Sequence, residues 1–446
     1  MPATPLRCHL LIGPPASGKT TIAGLLAPLL DAELLSTDQI REQLYGDPLI
    51  QGNWQEVEEH LHAGLQRCVA QGRSVLIDAT HARRPWRLAL SQRLAFDRPV
   101  EWIGWWLRTP LEVCLQWNQL RPRQVPELVV RQFSAALADA VFQPDRSEGF
   151  AALVDFDPSL GGDLAGRLSE ELARLEKRIA AARNRDQAKE LHGYSRLLDL
   201  ERLLYLLQLL SRFPGLSAAD PATRAEMEAI CSPLPEGSMA QRAAALLGGL
   251  RGECYADPDA LEADLAWLEG QGMFSAEPSG APIEPPPASP EQLERNRGGW
   301  PQLADRTVFV RVLTLLRHLL HTPFDHSKGV PLPEHLIGQL GGVYLPTEAA
   351  TLRKDVERVL TPYGFRTRND NVRHGYGLGA AVLSAGRLRE VHQVITQAAA
   401  RLGDPSAQDL LAELEQRLRW GGVLQPDALP VRVFANRSIV HPDLVR

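Results

Sequence analysis

The chain has 446 residues, roughly two to three times a typical domain, which is length enough for at least two separate cores. With 44% hydrophobic and 23% charged residues, and no run approaching the roughly 18 apolar residues of a membrane span, it is neither wholly disordered nor a transmembrane bundle. A net charge of −6 excludes a protein that coats nucleic acid through overall basicity, and five scattered cysteines without a C-x-x-C pair exclude a disulfide framework or a zinc site. No basic stretch, apolar core and cleavage site follow Met1 in order, so the expected location is the cytoplasm.

Short apolar runs alternate with amphipathic segments over residues 1–158, the pattern of a parallel sheet covered by helices. Strands are expected at Arg7–Ile12, Ala32–Ser36, Ser74–Asp78, Val100–Leu107 and Ala151–Phe156. Helices are expected near Lys19–Leu30, Gln39–Tyr45, Gln55–Ala70, Pro85–Ala95, Pro110–Leu120 and Glu127–Val141. Trp102, Trp105 and Trp106 on the fourth strand read as buried packing, with a stacking platform for bases as the alternative. The fold class is therefore α/β, with a five-stranded parallel sheet and helices on both faces, followed by a mainly α C-terminal half.

Between the first strand and first helix lies Gly13-Pro-Pro-Ala-Ser-Gly-Lys-Thr20, which matches G-x-x-x-x-G-K-[ST] in the context that motif requires. The loop residues Gly13, Pro14, Ala16, Ser17 and Gly18, with Lys19, Thr20 and Thr21, would surround phosphate oxygens at a helix N-terminus, the non-proline members through their backbone N–H groups. Lys19 would reach the β and γ phosphates of ATP. The Thr20 hydroxyl would help to hold Mg²⁺. Lys19 is the only lysine before Lys177, in a chain with five lysines against 43 arginines. Asp78 ends the third strand, where a carboxylate meets Mg²⁺ or its water; capping the next turn is the alternative. Asp38 and Arg41 stand one turn apart after the second strand. Asp38 is either a helix cap or a general base toward an acceptor hydroxyl, with Arg41 on an acceptor or transferring phosphate. Residues 81–131 hold nine arginines against four acids, and Arg121-Pro-Arg123 before Val125-Pro126 sits where a lid would close; a solvated basic loop is the alternative.

Together these residues resemble the polynucleotide 5′-kinase group of P-loop phosphotransferases, which includes phage end-healing kinases, the kinase modules of RNA repair proteins and zeta-toxin relatives. The resemblance covers about residues 7–155. It implies that Asp38 is the base for a 5′-hydroxyl, that Arg41 holds the acceptor, and that Arg121 and Arg123 clamp the donor phosphates. Asp78-Ala-Thr-His81 is similar to the third motif of that group and Asn118 with Arg121 to its lid. His81 replaces a frequent Asn, and Trp117 a frequent Arg.

Beyond Gly161-Gly162, Leu164, Leu168, Leu172, Leu175 and Ile179 recur at helical spacing, predicting an amphipathic connecting arm over 163–193. A first helical module is expected over 194–274, a Pro-rich linker over 275–303, a second module over 304–383, and a helical connector and tail over 384–446. The two modules look like a tandem pair. Each runs from an apolar first helix to a last helix that carries Asp264 or Asp355 before a glycine turn. Thr351-Leu-Arg-Lys-Asp355, Tyr363-Gly-Phe365 and Gly375-Tyr-Gly-Leu378 resemble the winged helix-turn-helix of WYL-type bacterial regulators. That resemblance implies a recognition helix at about Thr347–Leu360, a wing near Arg366–Tyr376, and nucleic-acid contacts from Arg353, Lys354, Arg366, Arg368 and Arg373. A structural or partner-binding role is the alternative.

The combined expectation is an ATP- and Mg²⁺-dependent kinase of 5′-hydroxyl RNA or DNA ends, gripping nucleic acid through tandem winged-helix-like modules. An ATP-responsive transcription regulator and a small-molecule kinase of the nucleotide-sugar type remain alternatives. No phosphatase-type D-x-D-x-T, ligase lysine motif or paired metal-binding histidines occur, so a repair role would need protein partners. Regulatory partners and a homodimer are left open, and a membrane partner is not expected.

Overall fold

The structure is a computed structural model that describes residues 5–47, 50, 52–122, 124–186, 189–213, 216, 221–274, 280–295, 299–322, 325, 327, 329–365, 376, 385–402, 408 and 411. Its N-terminal elements are β1 (Leu6–Ile12), α1 (Lys19–Leu30), β2 (Glu33–Ser36), α2 (Thr37–Tyr45), α3 (Trp54–Ala70), β3 (Val75–Asp78), α4 (Arg84–Leu88), β4 (Val100–Leu107), α5 (Leu111–Gln119), α6 (Glu127–Ala138), β5 (Phe150–Phe156) and α7 (Leu164–Asp186). There follow α8 (Leu197–Arg212), α9 (Pro221–Glu228), α10 (Met239–Arg251), α11 (Pro258–Gly270), α12 (Pro290–Arg295), α13 (Arg306–His321), α14 (Leu332–Gln339), α15 (Ala349–Lys354) and α16 (Ala385–Leu402).

The five strands pair in parallel in the order β2-β3-β1-β4-β5. Because strand side chains alternate between faces, β1 sends Cys8, Leu10 and Ile12 into one core and Leu11 into the other. Ile40 of α2 and Val57, Leu61 and Leu65 of α3 cover the first face; Ile22 and Leu26 of α1 and Leu168, Leu175 and Ile179 of α7 cover the second. Burial on both faces explains the near-continuous apolar strands. Trp102, Trp105 and Trp106 all lie in this core, and Trp105 donates its indole N–H to His9 at 3.0 Å, so they form no stacking platform.

The chain divides into two compact units. The first comprises Met1–Leu200, Gly252–Tyr255 and Pro285–Phe309, and so takes in the segment expected as an arm and part of the Pro-rich stretch. The helix expected as a connecting arm over 163–193 is α7, and its leucine stripe packs on the sheet. The Pro-rich stretch is not a free linker throughout. Proline lacks an N–H but keeps its carbonyl, and Pro286 O accepts from Gly193 N at 2.6 Å while Lys189 Nζ donates to Trp300 O at 2.8 Å. Residues 275–279 of that stretch lie outside the described residues.

In the second unit, Arg202 Nε and Nη2 donate to the buried Asp264 at 2.6 and 3.2 Å, and Arg311 Nε and Nη2 donate to the buried Asp355 at 2.8 and 3.2 Å. The same fork joins first helix to last helix in both halves of the tandem. Each last helix also ends alike: Met273 N donates to Leu268 O and Phe365 N to Leu360 O, after Gly272 and Gly364 with φ of 66° and 90°. The second copy has one residue more between its aspartate and its glycine, and Asp355–Leu360 winds as a π-helical turn that absorbs it. The helix expected at Thr347–Leu360 is thus α15 followed by this turn. Arg353 and Lys354 are exposed on α15, whereas the wing with Arg366, Arg368 and Arg373 lies outside the described residues. Among the described residues no helix is long and apolar enough to cross a membrane.

Candidate functional site

Three adjacent strands bring their carboxyl ends together. β1 runs into the loop Gly13–Thr20, β3 ends on Asp78, and Ser36 at the end of β2 pairs with Asp78 in register, so Asp38 follows beside it. The loop begins with Gly13 N donating to Thr80 O at 3.2 Å, which ties it to the turn after β3. Ala16 and Gly18 take left-handed φ of 61° and 89°, turning successive N–H groups toward one side before α1. A side chain on Gly13 would put its Cβ 2.5 Å from Ser17 Oγ. Ser17 itself is buried, and its Oγ has no hydrogen-bond partner among the described residues.

Lys19 Nζ donates to the carbonyls of Gly13 at 3.1 Å and Pro14 at 2.7 Å. Burial draws its pKa down to about 8, with Asp78 opposing that shift and Arg121 adding to it. Thr20 Oγ1 donates to Asp78 Oδ2 at 3.0 Å. Burial holds the Asp78 carboxyl above its ordinary range, against the pull of Lys19 and Thr20. This pair of an exposed hydroxyl and a buried carboxylate beside the loop lysine is an oxygen donor set that fits Mg²⁺.

Asp38 lies in the first turn of α2, but the cap position is Ser36 and Asp38 makes no capping bond. It accepts from Arg41 Nη1 at 2.8 Å, with its carboxylate half exposed and Arg41 buried. Among the described residues, Arg41 Nε has no partner. Both line a cavity of about 750 Å³ that also reaches Lys19, Thr20, Thr21, Asp78 and Arg121. Arg123 lies outside the described residues. Asn118 Nδ2 donates to Val125 O at 2.7 Å and its Oδ1 accepts from Val125 N at 2.9 Å, closing the turn that carries Arg121. Trp117 stands against the loop, within 3.3 Å of where a Cβ on Gly18 would lie.

The arginine surplus of residues 81–131 is only partly available to phosphates. Arg84 and Arg87 are buried, and their guanidinium groups meet the buried Glu148, with Arg87 Nε donating to its Oε2 at 2.5 Å. Arg87 also donates to His81 O at 3.0 Å and Ala82 O at 2.9 Å, holding the turn after Asp78. His81 sits in that turn with φ 42°, its Nδ1 3.2 Å from Leu11 O, and burial lowers its pKa to about 4, so the imidazole is neutral.

Sequence reasoning missed a second wall of the cavity, formed by Trp54, Glu58 and His62 of α3, Trp86 of α4 and Phe133 of α6. The available signal was the spacing of Trp54, Glu58 and His62, each four residues apart and so on one helix face.

Residues 8–140 match a family model described as an AAA domain. No curated protein matches the chain. Solved structures similar to it include a kinase from Chloroflexus aurantiacus (20% identity, TM-score 0.31, covering 39% of this chain and 97% of that one). Others are a sugar kinase from Janibacter (22%, 0.29, 40% and 98%) and a shikimate kinase from Acinetobacter baumannii in complex with shikimate (22%, 0.27, 39% and 94%). The parallel sheet, with the loop Gly13–Thr20 between β1 and α1, has the arrangement of a P-loop fold.

Proposed function

We propose that the chain transfers the γ phosphate of ATP to a hydroxyl of an acceptor seated beside Asp38. The observation that carries this reading is the convergence of Lys19, the Thr20–Asp78 pair and the Asp38–Arg41 pair on one cavity. Thr20 and Asp78 would hold Mg²⁺, which neutralises charge on the β and γ phosphates when bound. Asp38 takes the proton from the acceptor O–H as the new O–Pγ bond forms. The bond from Pγ to the β–γ bridging oxygen breaks, and ADP leaves with that electron pair. Lys19 and the turn closed by Asn118, with Arg121, stabilise the charge spread over the phosphoryl oxygens.

For the acceptor, the Asp38/Arg41 spacing and the lid motif support a 5′-hydroxyl end of RNA or DNA. A small hydroxylated molecule is the second reading, favoured by the wall of Trp54, Glu58 and His62, which is not a basic cup for a polyanion. The test is transfer of labelled γ phosphate to 5′-hydroxyl oligonucleotides and to a panel of sugars and nucleosides. The native chain is compared with Lys19→Ala and Asp38→Asn. Transfer that falls by about 10²–10⁴ in Asp38→Asn with ATP binding kept supports the reading. Transfer unaffected by either substitution sinks it.

A further inference from the structure

The far wall of the cavity carries more hydrogen-bonding capacity than the protein itself uses. His62 Nε2 and Arg41 Nε are buried without partners among the described residues, and both side chains line the cavity, as does Glu58. Leaving a buried polar atom unpaired is unfavourable, and two such atoms stand on this one wall, whereas the nearby buried Arg87 is engaged by Glu148, His81 and Ala82. The aromatic part is contiguous with them. Trp54 and Trp86 have ring centroids 6.2 Å apart at an interplanar angle of 40°, and Trp86 meets Phe133 edge-on at 5.8 Å.

The charges here balance rather than gather. Asp38 already accepts from Nη1 of Arg41, and Arg93 and Glu253 act on Glu58 in opposite electrostatic senses. Burial raises the pKa of the Glu58 carboxyl and lowers that of His62, the latter with help from Arg93, so the wall offers a neutral imidazole rather than a cation. In its ionised form Glu58 accepts hydrogen bonds from a ligand O–H or N–H.

We propose that Trp54, Glu58, His62 and Trp86 form a recognition wall for an uncharged hydroxylated ring, which lies against the indoles and donates hydroxyls to Glu58. This rests on the reading of the cavity as an acceptor site. The ring belongs either to a free sugar or to the sugar of a free nucleoside, and the arms of the test separate the two.

The experiment is equilibrium titration of the full chain, with ADP and Mg²⁺ present, followed by intrinsic tryptophan fluorescence. The probes are neutral monosaccharides, uncharged nucleosides and a 5′-hydroxyl oligonucleotide. Saturable quenching by one of the neutral classes is expected, weakened about tenfold or more by Glu58→Gln and by Trp54→Ala. Trp54 is 42% exposed, so its replacement leaves the core intact. Neutral probes that bind both variants as they bind the native chain overturn the wall, as does saturation by the oligonucleotide alone or by no probe. A γ-phosphate transfer assay run in parallel separates the two readings. Glu58-dependent binding without transfer keeps the wall and removes the kinase; transfer to the oligonucleotide that ignores Glu58→Gln keeps the kinase and removes the wall.

Discussion

Lys19 lies at a position where the chain departs from its general use of arginine, and the departure has a titration signature. Arginine stays charged at any accessible pH, whereas the Lys19 ammonium, buried beneath the loop, has a pKa of about 8. In the free protein the charged form is therefore present below about pH 8 and lost above it. Bound phosphates favour the ammonium and move that loss to higher pH. Under the phosphotransferase reading, kcat/KM for ATP falls above about pH 8 with the slope of one proton, while kcat stays flat across the same range. A pH profile of both constants checks this, and a kcat that fell in parallel would assign the limb to another group. The loop lysine was legible in the sequence because its neighbours in the chain are the motif. The lowered pKa was not, since it comes from burial by the folded chain, with Arg121 from a distant segment adding to it.

At the level of elements, the turn from Asn118 to Val125 is held by two hydrogen bonds of one amide side chain. Asn118→Ala removes both and frees the turn that carries Arg121. The expected outcome is a rise of about tenfold in KM for ATP with little change in melting temperature, because a surface turn contributes little to global stability. Steady-state kinetics with thermal melting checks it. Arg87 gives the opposite pattern. Replacing it by Met leaves Glu148 buried without its main partner, an effect of about 3–5 kcal/mol. A fall of roughly 10 °C in the melting temperature of the first unit is expected. A shift under 2 °C would mean that Arg84 alone satisfies Glu148. The central strands were readable because β3 is buried throughout and β1 and β4 nearly so, which makes them mostly apolar. The roles of Arg84 and Arg87 were hidden because Glu148 lies outside the arginine-rich window. The Glu58 and His62 wall was hidden for another reason: the same helix carries the stronger apolar stripe of Val57, Leu61 and Leu65. The Pro-rich stretch misled because composition shows missing donors but not carbonyls that accept.

Over the whole molecule, the net charge of −6 opposes a polyanion, so any grip on nucleic acid must come from a local patch. The tandem itself is accounted for by packing, since the Arg202–Asp264 and Arg311–Asp355 forks and the matching glycine turns fix first helix to last helix in both copies. Those forks are buried and spend their charge internally. Arg353 and Lys354 are different: both are exposed on α15, and neither is needed to hold Asp355 in place. If the second copy reads nucleic acid through this helix, each cation neutralises about one phosphate and releases its counterion. The double substitution Arg353→Ala with Lys354→Ala should then reduce the slope of log affinity against log salt by about 2 and weaken binding across sequences. Fluorescence anisotropy with a labelled duplex and a labelled single strand, each over a series of salt concentrations, measures it. Under the phosphotransferase reading, ATP binding by the same variant should be unchanged, because the P-loop site draws its residues from the first unit alone. A slope unaltered by the double substitution would remove α15 from the nucleic-acid contact and leave the tandem as a scaffold or a surface for protein partners.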